Sequence, residues 1–209
     1  MLIRNKEYDK SDSAISDFMD GGHTQLYMTL GELNIKDSTR HNRDITDYER
    51  ELSLDNAVVS CKYKHKGFDY KREYFTSLAD DVMVIKVTGF DLFATINLDC
   101  WLECDVKYVN DTVTIVGRAP TNFFPNSFVN KFEYDENKES IPFMVEMKIF
   151  TDRFVAGMGK NIDVAGASYF TIVYSIATGF NGFDKLPQSQ GKDYKKECHE
   201  KLMNALKYS

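Results

Sequence analysis

The stretch that decides the fold is ELSLDNAVVSCKYKHKGFDYKREYFTS, which runs from Glu51 to Ser77. A two-residue turn at Lys66 and Gly67 predicts a β-hairpin in which Lys64 lies opposite Asp69. In this register apolar and polar side chains separate onto two faces, as expected of a sheet with one buried face. The apolar face holds Val59, Cys61, Tyr63, Phe68, Tyr70 and Tyr74, and the polar face holds Ser60, Lys62, Lys64, Asp69, Lys71 and Glu73.

Arg72 alone interrupts the apolar face of this hairpin. One interpretation is an anchor for an anion or a carboxylate of a ligand. The other is a buried ion pair with an acid from a neighbouring strand, which the planar guanidinium can form with two hydrogen bonds. We favour the structural ion pair. Lys64 and Asp69 are expected to add a modest cross-strand charge pair.

The rest of the chain alternates short apolar segments with turn signals, and helical periodicity occurs only near its ends. Asn110 and Asp111 predict the turn of a second hairpin. The pattern predicts a mainly β fold, a large antiparallel β-sandwich over residues 1–191 with an N-terminal helix at about 5–20, followed by a C-terminal helix over 192–209. The N-terminal helix carries an apolar stripe of Tyr8, Ile15, Phe18 and Met19, and the C-terminal helix one of Tyr194, Cys198, Leu202, Ala205 and Leu206.

Composition narrows the classes of function. The 209 residues carry a net charge of −6, which disfavours nucleic acid as a partner because phosphate would be repelled. The longest mostly apolar run, SYFTIVYSIATGF, is too short and polar to cross a membrane. The first residues lack the apolar segment of a signal peptide, so none is expected, and localisation stays open.

The cysteines and histidines predict neither a disulfide framework nor a metal site. Cys100 and Cys104 would lie about 13 Å apart on one face of a strand, too far for a bridge. We expect four reduced, mostly buried thiols, with Cys61 and Cys198 as the other two. The histidines are scattered, and no cofactor is expected.

The remaining chemical candidates have simpler structural interpretations. Asp80 and Asp81 are adjacent, so they are expected to be solvated loop residues rather than paired catalytic carboxylates. Trp101 could stack on a sugar ring, but a core position is favoured. The sequon that begins at Asn110 and the Gly157-Met158-Gly159 segment are both interpreted as turns. No catalytic residue emerges.

Five short motifs follow one another along nearly the whole chain. They comprise Tyr27, Leu30, Gly31, Glu32 and Leu33; Tyr48, Arg50, Leu52, Leu54, Asp55 and Ala57; Arg72, Glu73, Phe75 and Ser77; Gly117, Pro120 and Pro125; and Thr178, Phe180, Asn181 and Gly182. In this order they resemble the N-terminal domain of glycoside hydrolase family 95, whose known members are α-L-fucosidases and related α-L-galactosidases.

The resemblance implies a supersandwich β domain that precedes an (α/α)6-barrel catalytic domain. In that family the catalytic groups for inverting hydrolysis lie in the barrel, so none is carried over to this chain. The family domain opens with strands before the short helix, so the chain is expected to lack edge strands and to be a fragment. The apolar stripe of the C-terminal helix is then expected to lack a partner.

Three functions remain open. The first is an accessory domain of an α-L-fucosidase-like hydrolase, inactive alone, whose partners are the barrel and a fucosylated or related glycan. Its loop from Arg118 to Asn126, with Phe123 and Phe124, would lie at the substrate entrance, although the loop could equally be a simple crossover. The second is a free-standing carbohydrate-binding module. The third is a scaffold or oligomerisation domain whose exposed edges pair between chains.

Overall fold

The computed structural model describes residues 3–19, 28–38, 44–109, 111–124, 131–158 and 160–208. The chain divides into a smaller compact unit, Met1–Met28 with Pro120–Lys138, and a larger one, Thr29–Ala119 with Glu139–Ser209. The predicted class is confirmed: the fold is mainly β and antiparallel, with short helices near both ends, consistent with a β-sandwich.

The elements follow the order that the turn signals predict. The predicted domain boundary at residue 191 stays a prediction. In the described part of the chain, the helices and strands are a 3-10 turn (Ile3–Asn5), α1 (Tyr8–Met19), β1 (Gly31–Asp37), β2 (Ile45–Ser53), β3 (Val58–His65), β4 (Phe68–Ser77), β5 (Val82–Cys100), β6 (Cys104–Val109), β7 (Thr112–Arg118), β8 (Asn122–Phe124), β9 (Lys131–Glu133), β10 (Pro142–Thr151), β11 (Val155–Met158), β12 (Asn161–Thr178), α2 (Tyr194–Ala205) and a 3-10 turn (Leu206–Tyr208).

The larger unit is organised around one ten-stranded antiparallel sheet. Its strand order is β2-β3-β4-β5-β12-β10-β7-β6, with β1 paired to β5 and β11 paired to β12. The long strands β5 and β12 therefore form the centre of the sheet. Buried side chains such as Ile96, Ile115, Ile162 and Ile172, all essentially inaccessible to water, form its core.

The register predicted for the first hairpin is confirmed. Lys64 pairs with Asp69 and Val59 pairs with Tyr74. Tyr63 and Tyr70 are buried from the apolar face. The ion pair of Lys64 differs from the expected one with Asp69, because its ammonium contacts Asp47 of β2 at 3.0 Å.

The second hairpin also has its predicted register, since Val106 pairs with Ile115 and Lys107 pairs with Thr114. Asp111 has a φ of 61° in its turn, as a tight hairpin requires. Asn110 lies outside the described residues.

Strand β5 is one continuous strand where the sequence pattern predicts two. Its first half pairs with β4 and its second half pairs with β1, so β4 and β1 follow one another along the same edge. The break between them falls at residues 89–93. There Asp91 has a φ of 53°. On the neighbouring β12, Gly166 has a φ of 66°, and the register between β5 and β12 shifts at this residue. The turn-like residues around Gly89 therefore mark a bend in the sheet and not a strand end.

Arg72 bridges this break. Its guanidinium donates to the carboxylate of Asp37, the last residue of β1, so the favoured ion pair is confirmed. Both side chains are largely shielded from water. Burial lowers the pKa of Arg72, but the negative charge of Asp37 and the nearby Tyr63 outweigh it, and the net shift is upward. The ion pair joins two strands that share no hydrogen-bonded register.

Helix α2 packs against the sheet, so the expectation that its apolar stripe lacks a partner is wrong. Leu202 packs against Val82 and Val173, and Cys198 packs against Met144 and Ala177. The remaining stripe residues border these two clusters: Tyr194, Ala205 and Leu206.

Polar contacts fix α2 in this position. Ser175 of β12 donates to the carbonyl of Cys198 at 2.7 Å. The buried carboxylate of Glu146 on β10 lies 2.9 Å from the Nδ1 atom of His199. At the start of the helix the Asp193 side chain accepts a hydrogen bond from the Lys196 amide, a typical N-cap.

The smaller unit contains α1 and the short β8–β9 hairpin. The predicted N-terminal helix is confirmed, but Tyr8 and Ile15 of its stripe are exposed. The side chains of Phe18 and Met19 lie outside the described part of the chain.

We predict that Arg72→Met lowers the free energy of unfolding by about 1–3 kcal/mol, because the Asp37 carboxylate would keep its partial burial and lose its cation. Arg50→Met, on the exposed β2 of the same sheet, is the matched control and should change it by less than about 0.5 kcal/mol. Urea unfolding measures both. Equal effects of the two substitutions would contradict the bridging role.

We predict that Leu202→Ala costs about 2–5 kcal/mol, because it opens a cavity between α2 and the sheet. The neighbouring Met203 is exposed, so Met203→Ala should cost less than about 0.5 kcal/mol. The same unfolding measurement separates the two. A Leu202→Ala variant as stable as the unsubstituted protein would show that the helix does not pack here.

Candidate functional site

The segment predicted to lie at a substrate entrance forms a short hairpin. Phe123 of β8 pairs with Phe132 of β9, and Phe124 pairs with Lys131. The side chains of Phe123 and Phe124 are not among the described ones, and Asn126 lies outside the described residues. The expectation that they line an entrance therefore stays a prediction.

The base of this hairpin is held by backbone and side-chain hydrogen bonds. The Thr121 amide and hydroxyl both donate to the carbonyl of Glu133, at 2.8 and 2.9 Å. The Asp135 carboxylate accepts from the amide of Asn137, and this bond, aided by Lys138, holds the pKa of Asp135 below its usual value. The chain is thus constrained where the hairpin begins and ends.

Arg118, the other predicted member of the entrance loop, ends β7 in the larger unit. Its Nε atom donates to the Glu103 carboxylate at 3.2 Å, and its amide donates to the Glu103 carbonyl. The guanidinium is therefore engaged in an ion pair within its own sheet.

Trp101 is not a core residue. Its side chain is 52% exposed, whereas the next residue, Leu102, is buried. Strand β5 ends at Cys100, so the strand alternation that favoured a core position stops just before the tryptophan.

The predicted separation of Cys100 and Cys104 is also wrong. The chain reverses between β5 and β6, and this brings the two thiols within hydrogen-bonding reach. Burial, together with the neighbouring Cys100, raises the pKa of Cys104 to about 12, so its thiol is protonated at neutral pH. Cys100 and Cys198 are buried as expected, whereas Cys61 and Cys104 are only half-buried.

The adjacent acids after β4 have structural partners. Asp80 accepts a hydrogen bond from the Ser77 hydroxyl at 2.9 Å, and Asp81 contacts Lys201 of α2 at 2.6 Å. They therefore lie in a turn, as expected, but they fix that turn and the helix rather than only facing solvent.

Neither a metal site nor a membrane-spanning helix is found in the part of the chain that the structure describes. Within the described ranges, no group of three or more His, Cys, Asp or Glu side chains is arranged to hold a metal ion. Of the described helices, none has the length and apolar character needed to cross a membrane.

A concave site, which we call the aromatic pocket, lies where the β3–β4 turn faces the bend of β5. Its volume is about 570 Å³, within the range of about 300–1,000 Å³ typical of small-molecule sites. The sequence pattern did not predict it, although the run GFDLF at residues 89–93, with two phenylalanines around a charged residue, was a signal. The pocket is lined by Ser38, His65, Lys66, Phe68, Tyr70, Phe90, Asp91 and Phe93.

A second groove, of about 770 Å³, runs over the opposite part of the sheet beside the end of α2. Phe75, Phe150 and Tyr169 contribute aromatic surface to it, and Glu73 and Lys86 contribute opposite charges. Most of its lining side chains are apolar, so it resembles a packing surface more than a catalytic site.

Comparison with known proteins identifies a matching family and several similar proteins, of which two illustrate the likeness. The model of the family described as "Glycosyl hydrolase family 65, N-terminal domain" matches residues 1–182. The protein named alpha-L-fucosidase 2 from Arabidopsis thaliana is 23% identical over 222 residues, which cover 100% of this chain and 26% of that protein. A solved structure described as a putative kojibiose phosphorylase from human microbiome covers 84% of this chain and 22% of its own, at 13% identity and a TM-score of 0.43.

The family match and the curated relative confirm the N-terminal β domain of a glycoside hydrolase that the motifs indicate. The chain spans about a quarter of the length of the curated relative that it matches.

Proposed function

Because the chain belongs to the family of glycosyl hydrolase family 65 N-terminal domains, we propose that it is the accessory β domain of a longer glycoside hydrolase and carries no catalytic residue of its own. The family match over residues 1–182 is the observation that carries this proposal. The domain would pack on a catalytic domain and shape the approach of the substrate to it.

The partners of the described acids support this proposal. Inverting hydrolysis requires two carboxyl groups about 6.5–9.5 Å apart, with room between them for the bond and a water molecule. Several acids are instead engaged with other side chains of the fold: Asp37 with Arg72, Asp81 with Lys201, Glu103 with Arg118 and Glu146 with the imidazole of His199.

We further propose that the catalytic partner is an (α/α)6 barrel joined after this domain and that the sheet is half of a supersandwich. Similarity to a protein named alpha-L-fucosidase 2 supports a fucosylated glycan as the substrate of the whole enzyme. The packing of α2 on the sheet is consistent with this arrangement, because the helix is a rigid support on which a following domain can be positioned.

The β8–β9 hairpin is our candidate for the part that reaches the substrate. Its base is fixed by Thr121 and Asp135, and strand β8 between them contains Phe123 and Phe124. A constrained base with apolar residues beyond it is typical of loops that contact ligands.

We predict that Phe124→Ala raises KM for a fucosylated oligosaccharide by about 5- to 30-fold in a hydrolase that joins this domain to its catalytic domain, because one aromatic contact is lost. Steady-state kinetics measure the effect. Phe183→Ala, at a fully exposed position of the larger unit, is the control and should leave kcat and KM unchanged. Unchanged kinetics of the Phe124 variant would contradict the entrance role.

A carbohydrate-binding role of the domain is the second candidate function. The aromatic pocket is the observation that favours it, since exposed aromatic rings with a few polar groups suit the two faces of a sugar.

A further inference from the structure

We infer that the aromatic pocket binds one 6-deoxyhexopyranose unit of a glycan, such as L-fucose. This inference rests on the proposed function, because membership of a glycoside hydrolase selects sugars among the small molecules that would fit. The site itself is defined by the contacts of the pocket.

The floor of the pocket is rigid. Tyr70 and His65 are both buried there, and their rings meet edge to face at 6.4 Å. Tyr63 stacks behind Tyr70 with ring centroids 5.3 Å apart. The Tyr70 hydroxyl donates to the carbonyl of Phe90 at 2.9 Å, which ties the floor to the wall. A pocket fixed in this way loses little conformational freedom when a ligand binds.

The walls present apolar surface to water. Phe68 and Phe90 stack with centroids 4.1 Å apart, yet they are 45% and 53% exposed. Phe93 is 40% exposed on the same pocket. Three exposed phenylalanines in one concavity are unusual for a surface without a binding function.

The bend of β5 creates this arrangement. Asp91 adopts a left-handed conformation, which places it between Phe90 and Phe93 at the pocket rim. Aspartate is one of the few residues other than glycine that adopt this conformation readily, so the bend is compatible with a charged side chain at the rim. Gly89 is required nearby, because a Cβ atom there would lie 2.3 Å from the ring of Tyr70.

The charges at the rim select the class of ligand. Lys66 and Asp91 carry opposite charges, and Ser38 adds a hydroxyl. Opposite charges favour neither an anion nor a cation, so a neutral ligand with hydroxyl groups and apolar surface fits best. A pyranose has an apolar face that can lie on an aromatic ring, and hydroxyls that can reach the rim.

The three phenylalanine rings of the pocket favour a 6-deoxyhexose over the corresponding hexose. A 6-deoxyhexose carries a methyl group where the corresponding hexose carries a hydroxymethyl group. Burying that hydroxyl against phenylalanine rings without a hydrogen bond would be unfavourable. The pocket should therefore prefer L-fucose to L-galactose, which differs from it only at this group.

The test is a titration of the chain with L-fucose and with L-galactose, followed by amide chemical shifts. We expect saturable binding of L-fucose with a Kd in the millimolar range, typical of a single small sugar, and shifts confined to the pocket. L-Galactose should bind about 5-fold more weakly, as expected for loss of a methyl contact and burial of a hydroxyl.

Three variants define the site. Phe90→Ala should weaken L-fucose binding at least about 10-fold by removing the stacked wall. Asp91→Asn keeps a residue that tolerates the left-handed conformation, and it should weaken binding because one of the two acceptor oxygens and the negative charge are lost, even if Phe90→Ala fails to fold. Phe154→Ala, at an exposed phenylalanine outside the pocket, should bind as the unsubstituted chain does.

No saturable binding of L-fucose, equal affinity for the two sugars, or binding that survives both pocket substitutions would each overturn the inference. Failure here is distinguishable from failure of the accessory role. The accessory role is judged by whether the chain alone turns over an aryl α-L-fucoside, and this measurement does not depend on sugar binding in the pocket.

Discussion

The pairing of β5 with β12 along their lengths is the constraint on which the rest of the sheet depends. The two strands carry β4 and β1 on one edge and β10 and β11 on the other. Both strands bend at the same level, at Asp91 and Gly166, where the register shifts. The bend lies between the part of β5 that pairs with β4 and the part that pairs with β1, so two separate strands cover this side of β5.

Two features follow from this bend. The first is the Arg72–Asp37 ion pair, which connects β4 to β1 across the gap that the bend leaves. The second is the aromatic pocket, whose wall is the bent segment itself. Arg72, which interrupts the apolar face of the hairpin, therefore has a structural role in the sheet. The candidate binding site of the hairpin is at its turn, next to Phe68.

Local sequence patterns predicted what local interactions determine. The two hairpin registers follow from alternation and from the turn residues Lys66-Gly67 and Asn110-Asp111, and both are confirmed. The acid that pairs with Arg72 could not be identified, because Asp37 is distant in sequence and on a strand that does not pair with β4.

The wrong predictions for Trp101 and for the separation of Cys100 and Cys104 share one physical cause. Strand alternation was extended through residues 100–104, but the chain reverses there, which exposes Trp101 and brings Cys100 to Cys104. The partner of α2 was missed because it is assembled from strands that are distant in sequence. The aromatic pocket was missed because it depends on the bend within β5, which alternation does not reveal. The composition of the entrance loop indicated its apolar character, and its role stays a prediction because Asn126 lies outside the described residues.

The central claim is that this domain supports glycoside hydrolysis without performing it. The most direct measurement is turnover of an aryl α-L-fucoside by the chain alone, beside a hydrolase in which the same domain is joined to its catalytic domain. The account predicts that the chain alone is indistinguishable from buffer while the joined protein turns over substrate. Saturable turnover by the chain alone, lost when the chain is unfolded, would contradict it.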